Sequence, residues 1–401
     1  MASGIQTIEQ ADVAGKRVIC RVDFNVPTKD GIVTDDTRIR AALPTIRYLV
    51  EHHAKLILMS HLGRPTGKGY EEAFSLAPVA QRLSELLGKP VAFSSDTVGP
   101  QARNKVQELS DGDVLLLENV RFDAREKKND PAFAQELANL AEIYVNDAFG
   151  TAHRAHASTV GVAAFLPSYA GYLLTKEVQT LTQMLDHPRH PFIAILGGSK
   201  VSDKVGVIDA LIDRVNTLII GGGMCFTFLA AKGYPVGKSL VEKEWVNRAA
   251  GMLSKAEDRG VTILLPVDIV VADRFSEDAK TEIVSADAIP DDMMGLDIGP
   301  KTSKGYAAAI HVGQTVFWNG PMGVFEMPPF AKGTRAVAEA VADNTSADTI
   351  IGGGDSVAAI NMFNLADKMT FVSTGGGASM DLVQGKKLPG VEALKKEAAH
   401  A

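Results

Sequence analysis

The chain has 401 residues, of which 46% are hydrophobic and 22% charged, and its formal net charge is −7. This length predicts two domains of about 150–200 residues each. The acidic balance argues against a nucleic acid as partner, since it implies no broad basic face. The two cysteines, Cys20 and Cys225, lie in or beside apolar runs. We interpret them as core residues of a protein from a reducing compartment, not as zinc ligands.

The first nine residues have neither the basic nor the apolar region of a signal peptide. No apolar run has the length that a membrane-spanning helix needs. We therefore expect a cytoplasmic protein with no membrane partner.

The first half of the chain alternates short apolar runs with helical patterns, which predicts a parallel α/β sheet. The predicted strands are Val18–Phe24, Leu56–Met59, Val114–Leu117 and Ile143–Val145, and the clearest predicted helices are Thr37–His52 and Leu76–Leu87. Ligands of open α/β sheets bind beyond the carboxyl ends of the strands. The residues that follow these strands are therefore the first candidates for a binding site.

Several of these residues suit an anion. The candidates are Asp23, Asn25, His61, Arg64, Arg121 and Arg154 after strands, and Arg38 near the start of a helix. Four converging arginines indicate a small, dense anion, because arginine binds planar carboxylate and phosphate groups through two donors at once. An aspartate among them would orient a substrate hydroxyl. The alternatives are surface arginines in ordinary ion pairs and, for His61, a histidine satisfied in the core.

An amphipathic pattern over Tyr169–Asp186 predicts one helix leaving the first half, and two prolines follow in His187–Pro191. The second half has six predicted strands, near residues 192–196, 217–220, 261–265, 315–318, 349–351 and 369–372. Asp268–Ala286, with a turn at Ser276–Ala279, is typical of an inserted hairpin.

Four predicted strand ends in the second half carry glycine pairs or triplets. In Asp348–Ile360 a strand ends at Ile351, three glycines follow, and a helix opens at Asp355. Such turns let backbone N–H groups approach a phosphate at a helix N-terminus. Neither the dinucleotide fingerprint nor a P-loop is present. Asp355 would repel a phosphate unless a divalent cation lies between them, which indicates Mg²⁺; the alternative is that it caps its helix.

Lys200 and Lys204 follow another of these turns, at Gly197–Gly198. Four residues apart, they are predicted to share one face at the start of a helix. The helix dipole disfavours cations there, and a bound phosphate would offset that cost. The alternative is a solvated helix start.

An arginine pocket in one half and glycine turns with lysines and a metal-type aspartate in the other indicate phosphoryl transfer. No general base is evident, so the acceptor should already be an anion. Two alternatives remain at this point. A two-domain dehydrogenase would need the missing fingerprint, and a non-catalytic anion-binding protein would not need Asp355 or the lysine pair.

Eight motifs in chain order resemble the phosphoglycerate kinase family, and the resemblance covers nearly the whole chain. They are Arg21–Pro27, Ser60–Pro65, Glu118–Phe122, Asn146–Arg154, Gly197–Lys204, Trp318–Glu326, Gly352–Ser356 and Ser373–Ala378. This family transfers phosphate reversibly between ATP and the carboxylate of 3-phosphoglycerate, giving ADP and 1,3-bisphosphoglycerate, in glycolysis and gluconeogenesis.

The resemblance implies a role for each candidate residue. It implies 3-phosphoglycerate binding by Asp23, Asn25, Arg38, His61, Arg64, Arg121 and Arg154. It implies nucleotide binding by Lys204, Gly222, Gly223, Gly295, Leu296, Asn319, Pro321, Glu326, Gly352, Gly353, Gly354, Asp355 and Ser356, with Asp355 holding Mg²⁺. It implies stabilisation of the transferring phosphoryl group by Arg38, Lys200, Gly375, Gly376 and Gly377.

It also implies a monomer of two doubly wound, Rossmann-like parallel-sheet domains that face each other across a hinged cleft. We expect residues 1–170 to bind 3-phosphoglycerate, residues 171–190 to form the connecting helix and hinge, and residues 191–387 to bind the nucleotide. The tail, residues 388–401, is expected to pack back on the first domain.

Overall fold

The structure, a computed structural model, describes residues 4–395. Within them the chain forms two compact units. Unit 1 runs to Gln179 and takes up the chain again from Lys387, and unit 2 is Thr180–Lys386. No helix within residues 4–395 is long and apolar enough to cross a membrane.

Unit 1 is built on a six-stranded parallel sheet. The strands of the unit are β1 (Arg17–Arg21), β2 (Thr28–Lys29), β3 (Ile32–Val33), β4 (Lys55–Met59), β5 (Ala92–Phe93), β6 (Val114–Leu116), β7 (Ile143–Asn146) and β8 (Ser168–Ala170). Of these, β2 and β3 form a separate small antiparallel hairpin. The order in the sheet is β5-β6-β4-β1-β7-β8. Its central strands are almost entirely buried, which explains their continuous apolar runs.

Helices connect these strands: α1 (Thr37–Glu51), α2 (Ala77–Leu87), α3 (Pro100–Glu108), α4 (Pro131–Ala138) and α5 (Tyr172–Asp186). The first of them, α1, packs on the core through Ile39, Leu43 and Ile46, which recur at helical spacing. The second, α2, ends at Gly88, whose φ of 67° is the left-handed conformation that glycine adopts without strain.

Unit 2 contains a second parallel sheet and a smaller antiparallel one. The strands are β9 (Phe192–Leu196), β10 (Thr217–Ile220), β11 (Thr262–Leu264), β12 (Asp268–Ala272), β13 (Thr281–Ser285), β14 (Met294–Ile298), β15 (Thr315–Asn319), β16 (Asp348–Ile351) and β17 (Phe371–Val372). The parallel sheet has the order β11-β10-β9-β15-β16-β17, and the antiparallel sheet has the order β13-β12-β14.

The helices of unit 2 are α6 (Val205–Ile212), α7 (Cys225–Ala231), α8 (Val246–Asp258), α9 (Pro300–His311), α10 (Lys332–Asp343), α11 (Gly354–Met362) and α12 (Gly377–Val383). Crossover helices join the parallel strands and bury their apolar faces, as the alternating pattern of the sequence predicts. The two-domain parallel α/β fold class is therefore confirmed.

The chain returns to unit 1 near its end, in α13 (Pro389–Glu392). Leu388, Val391 and Leu394 are buried there. The Gly390 N–H donates to the carbonyl oxygen of Ala152 at 2.8 Å. Residues 396–401, which the expectation for the tail also included, lie outside the described residues.

Three local expectations need correction. Tyr169 belongs to β8, and the helix predicted to start there begins at Tyr172. The hairpin of β12 and β13 is confirmed, but it is part of a three-stranded sheet, because β14 pairs with β12. Lys200 and Lys204 do not share a helical face, since α6 begins only at Val205. Gly198 has a φ of 107°, and the turns after it delay the helix.

Asp147 directly follows β7, and its buried carboxyl group contacts the start of α5. Its Oδ1 accepts hydrogen bonds from the N–H groups of Leu173 at 2.9 Å and Leu174 at 3.3 Å. Burial raises the pKa of Asp147 to about 7, although these hydrogen bonds oppose the rise. The folded protein therefore holds this proton more tightly than the unfolded chain does, in which an aspartate has a pKa of about 3.9.

We expect Asp147 to make unit 1 less stable as the pH rises from about 4 to about 7, because the folded state must give up a proton that the unfolded state has already lost. Asp147→Asn removes this ionisation. The unfolding free energy of the variant, compared with that of the unmodified protein at the same pH, should increase by about 2–4 kcal/mol as the pH rises from 4.5 to 7.5. Urea unfolding followed by circular dichroism measures the gain. A difference that is constant with pH would show that Asp147 is ionised in the folded protein throughout.

Candidate active site

Residues at the carboxyl ends of β1, β4, β6 and β7, together with Arg38 at the start of α1, form a cationic cluster in unit 1. We call it the arginine site and define it as Asp23, Asn25, Arg38, His61, Arg121 and Arg154. Parallel strands end at the same edge of a sheet, so residues far apart in sequence meet there. The structure therefore brings together six of the seven residues predicted to bind the anion.

Arg121 is the most distinctive member of the arginine site. Its side chain is buried, and only Nη1 has a protein partner, the carbonyl oxygen of Gly63 at 2.8 Å. Nε and Nη2 are buried without a partner. Burial, followed by the charges of Arg21 and Arg154, lowers the pKa of Arg121 to about 10. Buried donors without acceptors are costly, so these two are suited to a ligand oxygen.

Arg38 projects from the first turn of α1 and is tied to the segment after β1. Its Nη1 donates to Oδ2 of Asp23 and to the carbonyl oxygen of Asn25, both at 3.2 Å. The Asn25 side chain in turn accepts the Gly63 N–H at 2.8 Å. Arg38 is only half-buried. Its guanidinium is thus oriented by protein contacts and still accessible to a ligand.

His61 lies within this cationic group and is buried. Burial, followed by the charges of Arg21, Arg121, Arg38 and Arg154, holds its pKa well below the usual value. The ring is therefore neutral at physiological pH. It is not the isolated core histidine of the alternative interpretation, because cations surround it.

The two remaining arginines are exposed. Arg154 acts on His61 and Arg121 through its charge, and its Nε donates to His153 Nε2 at 3.2 Å. Arg64 has no hydrogen bond or ion pair to another residue of the described range 4–395. Arg64 directly follows Gly63, which bonds to Asn25 and to Arg121, so its backbone lies beside the arginine site.

Arg21 belongs to the same region, although the sequence analysis did not select it. It ends β1, is fully buried, and its Nη2 donates to His61 Nδ1 at 3.1 Å. The signal was present in the sequence, since an arginine in an otherwise apolar strand needs a buried partner.

A cavity of about 500 Å³ lies in unit 2. Seven of the predicted nucleotide-binding residues line it: Gly222, Gly223, Gly295, Leu296, Pro321, Glu326 and Asp355. The wall is mainly apolar and also includes Phe226, Phe275 and Met294, which the sequence analysis missed. A cavity of this size with apolar walls suits an aromatic base. Phe275 follows β12 and is 59% exposed, so it offers apolar surface to a ligand in the cavity.

Glycines let three backbone segments meet beside this cavity. Gly222 has a φ of 67°, and a Cβ there would lie 2.6 Å from the backbone nitrogen of Gly198. Gly197 is equally close to the next segment, since its Cβ would lie 2.1 Å from the carbonyl oxygen of Pro321. The glycine turns after β9 and β10 thus allow close backbone packing, in addition to any approach by a ligand.

A polar network lies at the ends of β15 and β16. The Lys204 ammonium donates to Oδ1 of Asn319, whose Nδ2 donates to the carbonyl oxygen of Gly352 at 2.7 Å. Ser356 accepts the Gly320 N–H at 2.6 Å. Burial lowers the pKa of Lys204, while the charges of Asp203 and Asp355 act in the opposite direction. Lys204 therefore lies close to Asp355 and to the glycine turn.

Asp355 is exposed and lies in the first turn of α11, at the edge of the cavity. The helix begins one residue before it, at Gly354, and Gly353 occupies the cap position. The alternative that Asp355 caps this helix is therefore wrong.

Lys200 and the glycines Gly375–Gly377 lie outside this network. Lys200 is exposed and its charge acts on Glu242. Burial favours a higher pKa for Glu242, but hydrogen bonds from Ser202 and Val201 and the charge of Lys200 hold the pKa below its usual value. Gly376 has a φ of 51° and precedes α12. Lys200 and Gly375–Gly377 do not line the cavity of unit 2.

Comparisons with known proteins agree on one family. The phosphoglycerate kinase family model matches residues 8–386. The phosphoglycerate kinase of Thermosynechococcus vestitus is 57% identical over 394 residues, which cover 97% of this chain and 98% of that protein. That of Trichodesmium erythraeum is 56% identical over 391 residues, with the same coverage.

Solved structures of the family are also similar. Phosphoglycerate kinase from Coxiella burnetii matches with a TM-score of 0.88 at 45% identity, and the match covers 97% of this chain and 98% of that one. The Pyrococcus horikoshii enzyme matches with a TM-score of 0.84 at 34% identity and the same coverage. These matches exclude the two alternatives, a two-domain dehydrogenase and a non-catalytic anion-binding protein. The chain therefore belongs to the phosphoglycerate kinase family, and it is a phosphate-transferring kinase of glycolysis.

Proposed function

We propose that this protein transfers a phosphoryl group reversibly between ATP and the carboxylate of 3-phosphoglycerate, forming ADP and 1,3-bisphosphoglycerate, with Mg²⁺ accompanying the nucleotide. Unit 1 is the 3-phosphoglycerate-binding domain and unit 2 the nucleotide-binding domain. We further propose that the protein acts as a monomer in the cytoplasm, with no nucleic acid or membrane partner.

The observation that carries this proposal is the pair of buried, unpartnered donors on Arg121. Nε and one Nη of a guanidinium face the same way and match two oxygens of one phosphate or carboxylate group. Arg21, Arg38 and Arg154 surround the same region. A small molecule that carries both a phosphate and a carboxylate satisfies such a site better than a singly charged one. The role of Arg64 is to add a further cation at the exposed rim.

The nucleotide is assigned to unit 2 on the cavity and the polar network beside it. The apolar wall suits adenine, and Gly295, Leu296 and Pro321 would contact the base and ribose. Lys204, Asn319 and the Gly352–Ser356 turn lie where the cavity meets Asp355 and would hold the phosphates. The helix N-terminus at Gly354 adds a favourable field for anions.

The reaction requires little covalent chemistry from the protein. An oxygen of the substrate carboxylate attacks the terminal phosphorus of ATP while the bond to ADP breaks, and no proton is removed from the acceptor. Catalysis therefore consists of positioning and charge stabilisation. We propose that Arg38 from unit 1, and Lys200 with Gly375–Gly377 from unit 2, stabilise the transferring group.

The residues of unit 2 fit a magnesium ion that arrives with the nucleotide. Within residues 4–395, no group of three or more His, Cys, Asp and Glu side chains is placed to hold a metal by itself. Mg²⁺ commonly takes one or two carboxylates together with substrate phosphates, and the exposed carboxylate of Asp355 at the cavity edge suits this arrangement. The ion would neutralise charge on the phosphates during transfer.

Asp355→Asn should raise the Mg²⁺ concentration needed for half-maximal activity by about 10-fold or more, because it keeps the side-chain shape and removes the charge. Steady-state rates over a Mg²⁺ series at fixed ATP measure this change. Asp348→Asn is the matched control, since Asp348 lies at the opposite end of β16 and pairs with Arg189. Equal Mg²⁺ dependence in all three proteins would remove Asp355 from the metal site.

A spectrophotometric assay tests the proposed reaction as a whole. With ATP, Mg²⁺ and 3-phosphoglycerate, the product 1,3-bisphosphoglycerate is reduced by an excess of a coupling dehydrogenase, and NADH consumption is followed. Turnover should require all three components. ATP consumption that does not depend on 3-phosphoglycerate would contradict the proposal.

Two anionic substrates assigned to separate units imply that the units approach each other before transfer. We expect only the complex with both ligands to favour a closed state strongly, because only then do Arg38 and Lys200 share one phosphoryl group. Small-angle X-ray scattering should show the largest fall in radius of gyration with 3-phosphoglycerate and a non-hydrolysable ATP analogue together. The same radius with either ligand, with both and with none would contradict closure.

A further inference from the structure

A chain of buried polar groups runs behind the arginine site in unit 1. It begins at Glu126 and passes through Ser158 and Arg21 to His61. The Ser158 hydroxyl donates to Oε1 of Glu126 at 2.6 Å, and its N–H donates to Oε2 at 2.9 Å. Arg21 Nε donates to Ser158 Oγ at 2.8 Å. Glu126, Ser158 and Arg21 are fully buried, so none of them contacts solvent or a ligand directly.

The donor and acceptor roles in this chain are fixed by chemistry. A guanidinium only donates hydrogen bonds, so Ser158 Oγ accepts from Arg21 and must use its single proton toward Glu126. For the same reason His61 Nδ1, which lies 3.1 Å from Arg21 Nη2, must be the nitrogen without a proton. The proton of a neutral ring then lies on Nε2.

The surroundings of His61 keep the ring neutral. The charged groups that face it are Arg21 on β1, Asp23 after β1, Arg38 on α1, Arg121 after β6 and Arg154 after β7. Four of these five groups are cations. The single anion, Asp23, lies 3.9 Å from Nδ1, farther than Arg21, and is already engaged with Arg38. A second positive charge on the ring would therefore be strongly disfavoured.

We propose that Arg21 is a positioning residue for the arginine site: anchored through Ser158 to the carboxylate of Glu126, it holds His61 as a neutral ring whose Nε2–H is the donor presented to the bound anion. The arrangement lets the site add a directed hydrogen-bond donor without adding another cation. It also assigns a purpose to the buried Glu126, whose negative charge compensates that of Arg21. This inference rests on the proposed function, because it takes the arginine site as the place of 3-phosphoglycerate.

Proton–nitrogen correlation spectra of the full chain, labelled with ¹⁵N at its histidines, test the proposal without any ligand. The chain has nine histidines, and the signals lost in His61→Gln assign those of His61. In the unmodified protein His61 should show protonated Nε2, bare Nδ1 and no titration between pH 8 and 5. A protonated Nδ1 in this pH range would overturn the proposal.

Two variants then break the chain. Ser158→Ala removes the link between Glu126 and Arg21, and Arg21→Lys keeps the charge but loses the fork of donors. In each variant His61 should populate both tautomers or begin to titrate, and the KM for 3-phosphoglycerate should rise by about 10-fold with kcat nearly unchanged. If Arg21→Lys does not fold, the spectra and kinetics of Ser158→Ala are sufficient to test the proposal.

Ser94→Ala is the matched control. Ser94 is as deeply buried as Ser158, and its hydroxyl also bonds to a carboxylate, that of Asp96 at 3.2 Å. This variant should leave the His61 spectrum unchanged. The same spectral change in Ser94→Ala and Ser158→Ala, or no change in Ser158→Ala, would overturn the proposal. If the unmodified protein does not catalyse the reaction, the proposed function is refuted. The spectra would then still test whether Arg21 sets the tautomer of His61.

Discussion

Arg38→Ala should lower kcat by about 100-fold or more. Loss of one well-placed stabiliser of transition-state charge costs a few kcal/mol. Arg38 is accessible, and its guanidinium is oriented by Asp23 and Asn25, so a ligand meets it already in position. The KM for ATP should change little, since the nucleotide is assigned to unit 2. Steady-state kinetics with each substrate varied in turn measure both parameters.

Arg40→Ala provides the control for this substitution. Arg40 lies two residues farther along α1, is exposed, and pairs with Asp36 at 2.8 Å. Arg40 carries the same charge and belongs to the same helix, but residues two apart on a helix point to different sides, so its side chain faces away from the arginine site. We expect kcat within about twofold of the unmodified protein, because exposed ion pairs contribute little. An Arg38→Ala enzyme that retains such a kcat would remove Arg38 from the catalytic residues.

Gly353→Ala should weaken nucleotide binding by about 10- to 100-fold. Gly353 has a φ of 90°, a conformation that other residues adopt only with strain of about 1–3 kcal/mol. A Cβ there would also lie 2.4 Å from Nδ2 of Asn319. Asn319 would have to move, and it connects Lys204 to Gly352. Calorimetric titration with ADP measures the affinity.

Gly305→Ala is the control, since Gly305 lies within the helix α9 and a Cβ there would have nothing within 4 Å. This variant should bind ADP as the unmodified protein does and should be slightly more stable, because alanine is the better helix former. If Gly353→Ala also binds ADP normally, the close contact with Asn319 does not organise the nucleotide site.

The central strands of both parallel sheets could be predicted from the sequence, but β5 and β8, at the two edges of the unit 1 sheet, were missed. The central strands are predictable because a buried parallel strand is a continuous apolar run, and β9 and β10 were predicted with the bounds observed. The strand β14 was missed, because its sequence, Met294–Ile298, contains a glycine and an aspartate. Asp297 is satisfied there by the N–H groups of Ile298 and Gly333, which only the folded chain brings close to it.

The sequence predicts a site residue where its type is unusual for its position. It does not predict a role that depends on which residues come into contact in the folded chain. Arginines after apolar strands indicated the arginine site, but the buried, unpartnered atoms of Arg121 are visible only in the structure. Lys204 and Lys200 looked equivalent in sequence. The turns before α6 separate them, so that Lys204 reaches Asn319 while Lys200 lies near Glu242.

Phosphorus NMR of a single reaction mixture shows whether the phosphoryl group moves between a carboxylate and the nucleotide. With the unmodified protein, 1,3-bisphosphoglycerate, Mg²⁺ and ADP, the acyl phosphate signal should decline as the signal of the terminal phosphate of ATP grows. The ATP signal should be absent when ADP is omitted and should grow much more slowly with Arg38→Ala. Loss of the acyl phosphate to inorganic phosphate alone, with no ATP formed, would contradict transfer between a carboxylate and the nucleotide.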